Sequence, residues 1–166
     1  MLLYLVRHGP AETADVLRWP DDRGRPLTSA GENKLAKAAP ALRTLAPEVD
    51  LVLSSRLVRA WQTAEILARK GGWPDPEPCP ALEPGGTPAE IIEAVQDHSQ
   101  AQSVALVGHE PILSYLAGYL LFGQDNVAPV EFKKGAIVSL EIGHRPGPAA
   151  GRLRWFLPPR LLRTLA

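Results

Sequence analysis

The chain has 166 residues, 45% hydrophobic and 22% charged, which is the composition of a folded domain and not of a disordered tail. Basic and acidic residues number 18 each, so no overall field draws the protein to nucleic acid or to an anionic membrane. A single cysteine, Cys79, excludes an intrachain disulfide framework and a cysteine metal cluster, and it points to a reducing, cytoplasmic setting.

Leu2 to Val6 is an apolar run that stops at Arg7-His8-Gly9, the pattern of a strand buried on both faces and ending in a polar turn. From Thr28 to Leu45 the stripe Leu35, Ala38, Ala39, Leu42 and Leu45 predicts a helix, opened by a capping box of Ser29 and Glu32 and interrupted at Pro40. Leu51 to Leu53 predicts a second strand ending in Ser54-Ser55, followed by a helix carrying Ala60, Thr63, Ala64 and Leu67 that Gly71-Gly72 closes.

Trp73 to Pro88 is dense in proline and reads as an ordered but irregular loop, with a short helix over Ala89 to Gln96. Val104 to Val107 predicts a third buried strand, ending in Gly108-His109-Glu110-Pro111, and Ile112, Tyr115, Leu116 and Tyr119 predict the helix after it. Ala136 to Ile142 and Arg152 to Leu157 read as a terminal hairpin, and residues 160–166 are expected to fray after Pro158-Pro159. No apolar run approaches the roughly 20 residues that span a bilayer.

Alternating strands and helices imply one α/β domain over residues 1–166: a three-layer α/β/α arrangement with a mostly parallel central sheet and an antiparallel edge. Such sheets bind ligands beyond the carboxyl ends of their strands, where Arg7-His8, Ser54 to Arg59 and Gly108-His109 all fall. Two histidines and at least two arginines without a carboxylate cluster suit an anion better than a metal. A neutral imidazole can attack phosphorus and form a labile phosphohistidine, and a second, protonated histidine would stabilise charge on the equatorial oxygens.

Four ordered blocks carry a resemblance: Leu5-Val6-Arg7-His8-Gly9, then Arg25-Pro26-Leu27-Thr28 to Gly31, then Ser54-Ser55 through Arg59-Ala60 and Gln62-Thr63-Ala64-Glu65, and last Val107-Gly108-His109-Glu110-Pro111. Together they resemble the histidine phosphatase superfamily, the phosphoglycerate mutase-like proteins, and the short chain is similar to its compact SixA-type phosphohistidine phosphatases. The resemblance implies that His8 is the nucleophile, that Arg7 and Arg59 clamp the phosphoryl oxygens, and that His109 is the second histidine of the pocket. Arg56 stands where many members have proline and takes no catalytic role. Glu83 falls roughly where proton-donating members place an acid.

The reading implies a metal-independent phosphatase without a cofactor. Its partner would be a histidine-phosphorylated protein of a carrier or phosphorelay, or else a small phosphate ester with Glu83 as proton donor. A noncatalytic phosphoryl-binding module is the alternative of another class. Glu12 reads as an exposed loop carboxylate, Glu110 as a first-turn helix residue, and Thr28 and Ser29 as caps. His98 and His144 read as solvent-exposed and Trp19 as a rim or surface residue. Trp61 and Trp155 read as packing residues, and Cys79 as inert.

Overall fold

The computed structural model describes residues 1–126, 130–143 and 146–166. Its strands are β1 (Leu2–Arg7), β2 (Leu51–Ser54), β3 (Pro76–Pro78), β4 (Ser103–Gly108), β5 (Ile137–Ile142) and β6 (Gly151–Leu157). They form one sheet in the order β3-β2-β4-β1-β5-β6. The first four run parallel, β5 is antiparallel to β1, and β6 is antiparallel to β5.

The helices are α1 (Ser29–Ala38), α2 (Leu42–Leu45), α3 (Val58–Gly71), α4 (Pro88–Gln96), α5 (Ile112–Phe122) and α6 (Pro159–Thr164). Strand side chains alternate between faces, so β1 feeds two cores. Leu3 and Leu5, with Leu53, Val104 and Leu106, pack against Ile91 and Val95 of α4 and Leu113 and Leu116 of α5. Tyr4 and Val6, with Val52, Ala105 and Val107, pack against Leu42, Ala60, Ala64, Leu67 and Leu162 on the other face. Fully burying a leucine is worth roughly 1.5–3 kcal/mol, whereas an exposed ion pair such as Arg154–Glu141 contributes about 0–1 kcal/mol. Apolar burial therefore holds the layers together. No described helix is long and apolar enough to cross a membrane.

The structure corrects three expectations. The cap of α1 is Thr28, whose Oγ1 accepts from Gly31 N–H at 2.9 Å, and Ser29 lies inside the helix. The proline-rich stretch is not wholly irregular: Pro76–Pro78 adds to β2 as an edge strand, and Cys79 N–H continues the ladder to Ser54 O at 2.8 Å. Alternate residues of a parallel strand direct their backbone groups to the same side, so with Cys79 facing inward the positions of Pro76 and Pro78 face outward, where no N–H is needed. Residues 160–166 do not all fray, because α6 buries Leu162 in the second core. Elsewhere the expected breaks hold: Pro40 stands in a 3₁₀ turn, Ala39–Ala41, between α1 and α2, and Gly72 ends α3 at φ 83°.

The α1 N-terminus abuts the loop after β1 so closely that a Cβ on Gly31 would lie 2.1 Å from Pro10 O. Gly31→Ala gains at most about 1 kcal/mol of helix propensity, while overpacking against a backbone carbonyl costs roughly 1–3 kcal/mol. The variant is expected to lose about 1–2 kcal/mol of stability, read as a lower urea midpoint at unchanged slope. A midpoint at or above that of the parent chain would show that the loop yields freely.

Candidate active site

Adjacent strand ends bring the candidate residues together. His8 N–H donates to Gly108 O at 3.0 Å and Ser55 N–H to Val107 O at 3.0 Å, so both residues extend the ladder just beyond the carboxyl ends of β1 and β2. The His8 and His109 rings lie 5.1 Å apart between centroids, tilted by 54°. Arg59 enters from the first turn of α3. Thr63, one turn on, donates to Arg59 O at 2.7 Å and accepts Gly9 N–H at 3.0 Å, which ties that helix to the loop bearing His8.

His8 Nδ1 lies 2.7 Å from Gly9 O. A carbonyl oxygen only accepts, so the proton is on Nδ1 and the Nε2 lone pair is free. Burial, with Arg59, Arg7 and Lys134 adding to it and the Gly9 bond opposing, lowers the His8 pKa to about 4. His109 Nε2 lies 2.9 Å from Ser55 Oγ, which accepts Leu57 N–H at 3.2 Å and has its own hydrogen available for the imidazole. With that hydrogen directed to Nε2, the His109 N–H lies on Nδ1. Burial, then the His8, Arg59 and Arg25 charges, lower the His109 pKa to about 3 against an opposing Asp22. Both shifts favour the neutral imidazoles near neutral pH, and His109 Nδ1 is buried without a partner.

Both arginines are held from their outer ends. Arg7 Nη1 donates to Phe132 O. Arg59, 6% exposed, donates from Nη1 to Asp22 O at 2.9 Å and pairs through Nη2 with Asp22 Oδ2 at 2.9 Å. Burial lowers the Arg59 pKa and the Asp22 charge opposes that shift. Among the described residues four buried side-chain atoms lack a hydrogen-bond partner: Arg7 Nε, Arg59 Nε, His109 Nδ1 and Trp19 Nε1. Three of the four belong to residues converging on one sheet edge around a free imidazole nitrogen. Buried donors are seldom left unpaired, and these suit the oxygens of a tetrahedral oxyanion. No group of three His, Cys, Asp or Glu side chains among the described residues is placed to hold a metal ion.

Glu83 follows a 3₁₀ turn, Pro80–Leu82, and its Oε2 lies 2.8 Å from Arg23 Nη2. Leu82 borders Gly108, which puts Glu83 close to the strand ends. Glu110 departs from its expected role. It precedes α5, accepts Phe132 N–H at 3.0 Å and lies 2.8 Å from the Ser114 hydroxyl, so it fixes the segment whose carbonyl holds Arg7. Glu12 pairs with Arg18 at 3.3 Å, and Arg18 lies over the Trp19 ring at 5.2 Å. Arg56 is exposed, Trp61 and Trp155 are half-buried, and burial raises the Cys79 thiol pKa. His98 is half-buried, not exposed; it lines a cleft of about 570 Å³ with Asp50 and Asp97, beside the amino ends of β2 and β4 and away from the histidine pair. His144 lies outside the described residues.

Asp22 and Lys134 are site neighbours that sequence reasoning missed, and Ser55 and Arg25 were placed in the motif blocks without a role. Asp22 and Arg25 belong to Pro20-Asp21-Asp22-Arg23-Gly24-Arg25, whose charges on a turn were the only available signal.

The lowered histidine pKa values have a consequence for stability. In the unfolded chain both groups take up a proton near 6.5, while the folded protein refuses it until about pH 4 for His8 and about pH 3 for His109. Stability present above pH 6.5 is therefore lost as pH falls toward 4, by at most about 1.4 kcal/mol per unit for each group. Urea unfolding between pH 7.5 and 4.5 is expected to show that slope, reduced in His109→Gln; an equal slope in both proteins would remove the histidine from the cause.

The family model of the histidine phosphatase superfamily (branch 1) matches residues 3–83. An uncharacterized protein of Picosynechococcus sp. is 36% identical over 145 residues, covering 86% of each chain. Phosphohistidine phosphatase SixA of Escherichia coli is 29% identical over 163 residues, 96% of this chain and 94% of that one. A solved structure of the protein histidine phosphatase SixA complexed with tungstate superposes with a TM-score of 0.83 at 27% identity, covering 98% of this chain and 99% of that one. The chain belongs to the histidine phosphatase superfamily, as a phosphatase of compact SixA-like form.

Proposed function

We propose that the chain is a metal-independent phosphatase of protein-borne phosphohistidine, with His8 as nucleophile. The observation that carries the reading is the His8 imidazole, neutral and with Nε2 unengaged, among three unpartnered buried nitrogen atoms. The His8 Nε2–P bond forms as the substrate's N–P bond breaks, and the substrate imidazole leaves. Water then attacks the phosphorus of His8, the Nε2–P bond breaks, and inorganic phosphate departs with the oxygen from water. Arg7 and Arg59 would bind the equatorial oxygens, and His109 Nδ1–H would donate to charge that builds up on them. The SixA relative is complexed with tungstate, itself a tetrahedral oxyanion, which supports an oxyanion as this chain's ligand.

An imidazole leaving group needs far less proton assistance than an alkoxide. That favours phosphohistidine, because Glu83 is engaged with Arg23 and would have to release it before serving as an acid. The second reading, a small-molecule phosphomonoesterase, rests on the nearness of Glu83 to the strand ends.

With chelator present, turnover of a histidine-phosphorylated carrier protein is expected to exceed that of p-nitrophenyl phosphate, and His8→Ala should lower both at least about 10³-fold. Faster ester turnover, or activity that survives in His8→Ala, would overturn the substrate assignment or the nucleophile respectively. Glu83→Gln is expected to leave carrier dephosphorylation within about twofold while an alkyl phosphate ester loses about 10²-fold or more. Equal loss on both substrates would make Glu83 a general part of the site.

A further inference from the structure

Asp22 places a negative charge against a pocket read above as binding a dianion. Its carboxylate nevertheless spans two arginines. Oδ1 lies 2.6 Å from Arg25 Nε, and Oδ2 lies 3.4 Å from Arg25 Nη2 and 2.9 Å from Arg59 Nη2. The Asp22 carbonyl also accepts from Arg59 Nη1 at 2.9 Å. A 3₁₀ turn, Asp22–Gly24, capped by the Asp21 side chain on Arg23 N–H, fixes both acceptors. Arg25 is anchored in turn through Nη1 to Glu12 O at 2.8 Å.

A guanidinium offers its N–H donors along an outer Nη1/Nη2 edge and a side edge that includes Nε, all in one rigid plane. Asp22 occupies the outer edge of Arg59. Nε on the other edge is buried and without a partner, and the Arg59 charge acts on both His8 and His109. Because the fork is rigid, holding one edge sets the direction of the other.

We propose that Asp22 is a positioning residue acting through Arg59. It aims the Nε edge at the transferring phosphoryl group and, by partly neutralising the guanidinium, weakens the grip on free phosphate after the reaction. This role rests on the phosphatase reading of the pocket.

The test compares Asp22→Asn and Asp22→Ala in the parent chain and in Arg59→Ala, with p-nitrophenyl phosphate as substrate and inorganic phosphate as inhibitor. Asp22→Asn keeps an acceptor oxygen and loses the charge: kcat stays within about threefold and the phosphate inhibition constant falls several-fold. Asp22→Ala leaves Arg59 with only the main-chain carbonyl on Nη1 and frees Nη2, so the aim loosens and kcat falls at least about tenfold. In the Arg59→Ala background both changes shrink to less than about twofold. Parent-like kcat and inhibition in Asp22→Ala, or equal losses in both backgrounds, would remove this role and leave the pocket's assignment standing. Full turnover by Arg59→Ala alone would overturn the clamp and the positioning role together.

Discussion

Positive charge is brought out of water beside two imidazoles, and the protein neutralises only part of it. Arg59 has the Asp22 carboxylate, whereas Arg7 is held by the Phe132 carbonyl and pairs with no described acidic side chain. Placing a cation in such surroundings is costly unless charge and hydrogen bonds return what water gave up. The shortfall is what an oxyanion would supply, and it adds to burial, the larger cause, in lowering the pKa values of His8 and His109, since each imidazolium would be a further cation.

The sheet makes this concentration of charge possible. With β1, β4 and β2 adjacent and parallel, three loops open at one edge, and residues far apart in sequence meet there without any loop having to be long. Several of the supporting contacts are to backbone. Gly9 O fixes the His8 tautomer, Phe132 O holds Arg7, and Thr63 ties the loop after β1 to α3. Main-chain partners of this kind are carried by the packed layers, so the site inherits the stiffness of the two cores.

The central strands were legible because strands buried on both faces must be apolar throughout, and the polar turns that stop them carry His8, Ser55 and His109. What stayed hidden depends on contacts between distant segments. Asp22 looks like any loop carboxylate until Arg59, 37 residues away, is seen against it, and the tie from Glu110 to the segment holding Arg7 shows only once Phe132, 22 residues on, is seen against it. The lowered pKa of His109 was not legible either, because burial is its largest cause and sequence does not report burial at that resolution. The strand Pro76–Pro78 and the helix Pro159–Thr164 were missed for one reason: proline was read as a breaker where an edge position and a first helical turn tolerate it.

The outward prolines of β3 also bear on how copies of the protein meet. A free sheet margin with unpaired N–H groups is a template on which another chain can add a strand, the first step toward ordered aggregation. At Pro76 and Pro78 that margin has no donors, and the ring of each proline stands where a neighbouring backbone would have to approach. The parallel end of the sheet is thereby closed to growth without a covering helix.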